Sequence, residues 1–104
     1  MNLKGTLPTL ILQVLLSGPA HGYRIAQDIK ARSKGVLEFK EGTLYPALHE
    51  LENQGLIRSE ERTINGRVRR EYRLTDEGHK VLVAERKEFR RMLRAVSAVL
   101  GESS

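Results

Sequence analysis

Apolar residues in the first half of the chain fall into three helical stripes, and beyond them the period shortens to two. Leu7, Leu10, Ile11, Val14 and Leu15 follow i, i+3, i+4 spacing, which predicts a first helix with one core-facing side. Thr6 is placed to cap it, Pro8 is tolerated in its opening turn, and Gly18-Pro19 ends it after Ser17. A second helix is predicted from His21-Gly22 to Ser33, with Tyr23, Ile25, Ala26 and Ile29 as its apolar residues and Ser33-Lys34-Gly35 as its stop. In the third, Leu44, Ala47, Leu48 and Leu51 form the buried stripe, which leaves Thr43, Tyr45, His49, Glu50 and Asn53 on other faces. Pro46 tolerates only the first turn, so this helix begins near Gly42 or Thr43. Gly55 supplies a left-handed C′ position, with Leu56 folding back on Leu51.

Two strand-like runs follow, Leu56 to Thr63 and Arg67 to Leu74, joined by Asn65-Gly66, the strongest short-range signal for a type I′ hairpin turn. A two-residue turn fixes the register. Ile64 pairs with Arg67, and Ile57, Ser59, Glu61 and Thr63 face Leu74, Tyr72, Arg70 and Val68 on one side of the ribbon. The other side carries Arg58, Glu60, Arg62 and Ile64 against Arg73, Glu71, Arg69 and Arg67. Arg62 then opposes Arg69 and Arg58 opposes Arg73, an arrangement that costs stability unless a polyanion lies across it.

Thr75 is a good N-cap, with Asp76 and Glu77 in a first turn where negative charge suits the helix dipole. The helix it starts is expected to reach Leu100, and at about 1.5 Å per residue it is nearly 40 Å long, more than so small a body can cover. Leu82, Phe89, Met92, Val96 and Val99 occupy heptad-like positions on an otherwise charged helix. Such a stripe calls for a partner, and a second copy of the same helix gives a two-fold dimer. The fold class is therefore mainly α with a small β-hairpin. A winged helix-turn-helix over residues 1–74 is followed by a long dimerisation helix over 75–104.

Composition sharpens the function. The 104 residues suit one modest domain, and a formal charge of +5 with a pI near 9.9 favours an anionic partner. Residues 58 to 73 hold six arginines and three glutamates, a local +3 of that +5. The excess is concentrated on the hairpin. No cysteine is present, so disulfides and thiolate metal sites are excluded and a reducing compartment is allowed. Lys4 ahead of the run Leu10 to Leu16 resembles a secretory signal superficially, but Gln13 breaks the run and the helical stripe explains it better. The run is also too short to span a membrane. His21, His49 and His79 are far apart and lack metal-ligand spacing, and no phosphate loop, nucleophile elbow or motif-framed carboxylate pair appears. No catalytic residue, metal or cofactor is expected.

The hairpin beside the third helix points to DNA. In winged-helix docking the exposed face of that helix enters the major groove and the wing reaches phosphate or an adjacent minor groove. Thr43, Tyr45 and His49 are the candidates for base-edge or sugar-phosphate contact, and Lys40 for phosphate at the start of the helix. Tyr45 has a second reading, as a ring packed into the core. Arg67 and Arg69, next to the tip, lead the phosphate candidates on the wing, and Arg62 follows. Glu50 and Glu52 repel phosphate, so their end of the helix is expected to tilt out of the groove. His21 and Tyr23 read as a turn residue and a core ring.

Several stretches together resemble the PadR family of bacterial transcriptional regulators: Gly18-Pro19-Ala20-His21-Gly22-Tyr23, Gly42-Thr43-Leu44-Tyr45-Pro46-Ala47-Leu48, Leu51-Glu52, Gly55-Leu56-Ile57, Arg70-Glu71-Tyr72-Arg73-Leu74-Thr75 and Glu77-Gly78. They lie in order across nearly the whole chain. The resemblance implies a winged helix-turn-helix, a C-terminal dimerisation helix of the short-subfamily kind, and repression by binding a palindromic operator. Some similar proteins bind drugs or other planar aromatics between subunits through an aromatic residue of that helix. This chain has no Trp, and Phe89 is its only aromatic after Tyr72. The expectation is a cytoplasmic homodimeric repressor that binds double-stranded operator DNA, open to a small-molecule effector of unspecified identity. The competing reading is a winged-helix module that docks a protein partner without specific DNA binding.

Overall fold

The computed structural model describes residues 3–102, so the outermost ends of the two predicted units, residues 1–2 and 103–104, lie outside the described residues. Three helices come first: α1 (Leu3–Leu16), α2 (Gly22–Arg32) and α3 (Glu41–Asn53). A two-residue strand β1 (Ala20–His21) precedes α2, the hairpin strands β2 (Ile57–Ile64) and β3 (Arg67–Leu74) follow α3, and α4 (Asp76–Leu100) ends the fold. β1 pairs with β3, giving an antiparallel sheet in the order β1-β3-β2.

The stripes of the first three helices bury, with Tyr23 of α2 as the exception. Leu7, Ile11, Val14 and Leu15 of α1, Ile25 and Ile29 of α2, and Leu44, Leu48 and Leu51 of α3 form one core with Ile57 and Tyr72 from the hairpin. α1 is its central element, packed against α2, α3, β3 and α4. That helix starts earlier than expected, so Thr6 sits inside it and does not cap it. Pro8 is accommodated because its fixed φ is helical and the bond it forfeits lies near the start of the ladder. The end of α3 follows the sequence closely: Gly55 has φ +76°, its N–H donates to the Glu52 carbonyl at 3.0 Å, and the Leu56 N–H donates to the Leu51 carbonyl at 3.0 Å, a Schellman motif. α2 stops the same way on Lys34, at φ +55°.

The hairpin adopts the predicted register at every pair, and Asn65 and Gly66 both have positive φ, 51° and 75°, as a type I′ turn demands. The expected repulsion across its arginine-rich side is answered within the protein. Glu60 and Glu71 face each other there, and Arg62 and Arg73 reach both carboxylates at 3.5 to 3.8 Å. Direct cross-strand partners alone suggested conflict, whereas diagonal neighbours on the same face supply the compensation.

Thr75 caps α4, its hydroxyl accepting from the Gly78 N–H at 3.0 Å. The same hydroxyl donates toward the Gly55 and Leu56 carbonyls, 2.8 and 3.0 Å away, tying the start of α4 to the corner after α3. Leu82, expected on the dimer seam, is instead 1% exposed within its own chain, in the common core. The cause is geometric: α4 leaves the body only after its second turn, so the first apolar residue of the heptad-like series is used for docking. From Val83 onward α4 runs clear of the core, and the molecule measures 54 × 28 × 22 Å. Among the described residues, no helix is long and apolar enough to cross a membrane.

Candidate nucleic-acid interface

The residues expected to touch DNA lie on α3 and the wing, and the structure joins them through the start of α2. Lys40 is exposed at the N-cap position of α3 and leaves the first turn without a side-chain cap; its carbonyl accepts from the Thr43 and Leu44 N–H groups. Thr43 is half-buried and His49 exposed. Tyr45 satisfies part of both its readings. It is 37% exposed, while its ring lies over Gly22, where an added Cβ would stand 2.7 Å from the phenol oxygen. A side chain at position 22 would displace the Tyr45 ring, so Gly22 lets that ring lie close against the first turn of α2.

Next to Gly22 are the two residues the sequence placed outside the interface. Tyr23 was expected in the core, but it is 61% exposed and stacks on the His21 ring, with centroids 6.5 Å apart and planes 11° from parallel. Ile25 and Ile29 bury the inner face of α2, and Tyr23, two residues before Ile25, falls on its outer side. His21 caps α2, its Nδ1 accepting from the Arg24 N–H at 3.3 Å, and its Nε2 lies 3.1 Å from Nη1 of Arg69 on the wing. Burial, then the positive charges of Arg69 and Arg24, holds the imidazole pKa below its ordinary value, against an opposing pull from Glu71. Sequence reasoning missed this junction because it depends on β1 pairing with β3. The helix-start position of His21 was the only local signal.

The arginines of the wing divide into two sets. Arg62 and Arg73 are engaged by Glu60 and Glu71, and Arg70 donates to Glu61 and Ser59. Among the described residues, no carboxylate lies within ion-pair distance of Arg58, Arg67 or Arg69. Behind the wing, Ser59 donates to Glu52 at 2.5 Å and fixes the hairpin to α3. Glu52 thus serves as a brace. Burial, then the nearby Glu52 charge, raises the Tyr72 pKa above its ordinary value.

On α4, Phe89, Met92, Val96 and Val99 are 42%, 52%, 42% and 87% exposed, with Leu93 and Leu100 beside them. Helical spacing places them along one uncovered stripe.

Three helices with a two-strand wing after the third, and α4 appended, define a winged helix-turn-helix protein. The model of the transcriptional regulator PadR-like family matches residues 11–84, and the chain belongs to that family. It is 37% identical over 86 residues to a transcriptional regulator of Mycobacterium tuberculosis, covering 83% of this chain and 78% of the relative. A solved transcriptional regulator from Clostridium thermocellum aligns with TM-score 0.86 at 30% identity over 92% of this chain and 94% of that one. A PadR family regulator from Eggerthella lenta aligns with TM-score 0.82 at 33% identity over 93% and 83%. The family is one of transcriptional regulators and not of enzymes.

Proposed function

We propose that this chain is a cytoplasmic homodimeric repressor that occupies a palindromic operator through α3 and the wing. The observation that carries the reading is the run of residues from Lys40, Tyr45 and Tyr23, which line one cleft, through the Tyr23–His21 stack to His21, Arg69 and Arg67, which line the next. It joins a helix that fits a major groove to cations that have no carboxylate partner among the described residues. Thr43, Tyr45 and His49 read or pack against base edges, Lys40, Arg67 and Arg69 hold phosphates, and Arg62 contributes less because Glu60 and Glu71 already engage it. Residues 1–74 act as the DNA-binding unit and 75–104 as the dimerisation helix, with the start of α4 anchoring one to the other.

The exposed stripe from Phe89 to Val99 supports the dimer, since a free apolar ridge of this length is a liability on an isolated chain. Two-fold pairing would set the two α3 helices at a fixed separation, which is what a two-half-site operator requires. An effector seated along that seam would act by changing the separation.

Footprinting on the DNA upstream of the chain's own gene tests the reading. Protection of two half-sites related by a dyad is expected, with affinity falling steeply as salt rises. A module that docks a protein partner would bind this fragment no better than random duplex, and that result would reject the proposal.

A further inference from the structure

The contacts of His21 do not balance. A neutral imidazole offers one acceptor nitrogen, yet two donors address this ring: the Arg24 backbone N–H at Nδ1, 3.3 Å away, and the Arg69 guanidinium at Nε2, 3.1 Å away. If Nδ1 accepts and caps α2, the ring proton is on Nε2 and points at another donor. If Nε2 accepts, the cap is lost. In either tautomer the ring can accept from only one of the two donors, and a protonated ring can accept from neither.

The deficit lies in a shallow cleft of about 400 Å³ lined by His21, Ile64, Asn65, Arg67 and Arg69. Arg67 and Arg69 have no carboxylate partner among the described residues, so the cleft gathers positive charge and N–H donors. Tyr23 stacks on the imidazole and the β1–β3 pairing fixes its backbone, so the ring is held in place before any ligand arrives. Such a cleft suits an anionic oxygen able to accept from several donors at once.

We propose that His21 contacts DNA directly: its Nε2–H, together with the guanidinium groups of Arg67 and Arg69, seats one backbone phosphate while Nδ1 continues to cap α2. This rests on the DNA-binding reading and adds to it a residue outside α3 and the wing. The phosphate accepts from the ring and from both guanidiniums and selects the Nε2–H tautomer. Because the ring stays neutral, it adds hydrogen bonding without releasing a counterion. Because it touches backbone, it fixes register and orientation without reading sequence.

Two substitutions separate this role from capping. His21→Asn keeps a side-chain acceptor for the Arg24 N–H and removes the ring donor, whereas His21→Ala removes both. Binding is measured by fluorescence anisotropy on the chain's own upstream DNA and on random duplex, over a salt series, with circular dichroism confirming the fold. His21→Asn is expected to weaken both duplexes by about tenfold, the scale of one hydrogen bond to a charged group, with an unchanged salt slope. Arg69→Ala should weaken both and lower the slope by about one unit. Native affinity in His21→Asn with weakening only in His21→Ala would make the ring a cap alone and overturn the inference. If His21→Ala does not fold, His21→Asn alone decides. Absence of salt-dependent binding by the unsubstituted protein would instead remove the DNA-binding reading itself.

Discussion

Gly78→Ala sets two well-defined effects against each other. Intrinsic propensity favours the substitution, since alanine in a helix is better than glycine by about 1 kcal/mol. Geometry opposes it: a Cβ at Gly78 would stand 2.0 Å from the Leu56 carbonyl oxygen and 2.8 Å from Leu74 Cδ1. Leu74 can rotate aside, but the Leu56 carbonyl is held by the Thr75 N–H and hydroxyl, at 3.2 and 3.0 Å. The first turn of α4 must therefore retreat by about 1.4 Å to regain ordinary contact. The retreat breaks the Thr75 cap, worth about 1 kcal/mol, and the two bonds from Thr75 to Leu56, worth about 1 kcal/mol each. After the propensity gain is set against these losses, a net destabilisation of about 2 kcal/mol remains. For a domain of this size that lowers Tm by about 8–16 °C. Circular dichroism melts at one fixed protein concentration would read it, because the proposed dimerisation would make Tm depend on concentration. An unchanged or higher Tm would show that α4 does not press on Leu56 and would refute the packing argument.

Three further outcomes are expected. Arg67→Ala should weaken binding to all duplexes alike and lower the salt slope by about one unit, whereas Arg73→Ala, already engaged by Glu60 and Glu71, should change it less; equal slopes in a salt titration would contradict the division of the wing arginines. The folded state holds His21 below its ordinary value of 6.5, so its stabilising contribution is complete above that value and is lost as pH falls through the lower folded one. Melting curves across this interval should decline toward acid in the native protein and less in His21→Asn, and identical declines would assign the effect to other groups. Val96→Glu, on the uncovered stripe of α4, should give folded monomer in analytical ultracentrifugation and lose cooperative occupation of two half-sites; a persistent dimer would place the interface elsewhere.

Much of the candidate interface was legible because its signals are local. The Leu44, Leu48 and Leu51 stripe, the Gly55 stop and the Asn65-Gly66 turn each depend on residues within a few positions, and the structure reproduces all three together with the full hairpin register. Tyr23, Leu82 and the wing arginines were harder. Tyr23 is apolar enough to read as core, yet it lies on the side of α2 that Ile25 and Ile29 leave outward. Leu82 fits a heptad, yet the depth to which α4 docks decides whether it meets its own core or another chain. The hairpin register already set Glu71 on the arginine-rich side, but only the side-chain positions show Arg62 and Arg73 converging on it.

The amino-acid sequence by itself determined the elements, the hairpin register, the basic wing and the apolar stripe of the last helix, because helical period, turn chemistry and capping act over short spans of chain. Tertiary structure decided which of those residues share a surface. His21 meets Arg69 across 48 positions only because β1 pairs with β3, and Gly78 is required only because α4 starts against the Leu56 carbonyl. Contacts of that kind follow from the packing of distant segments, which no local pattern encodes.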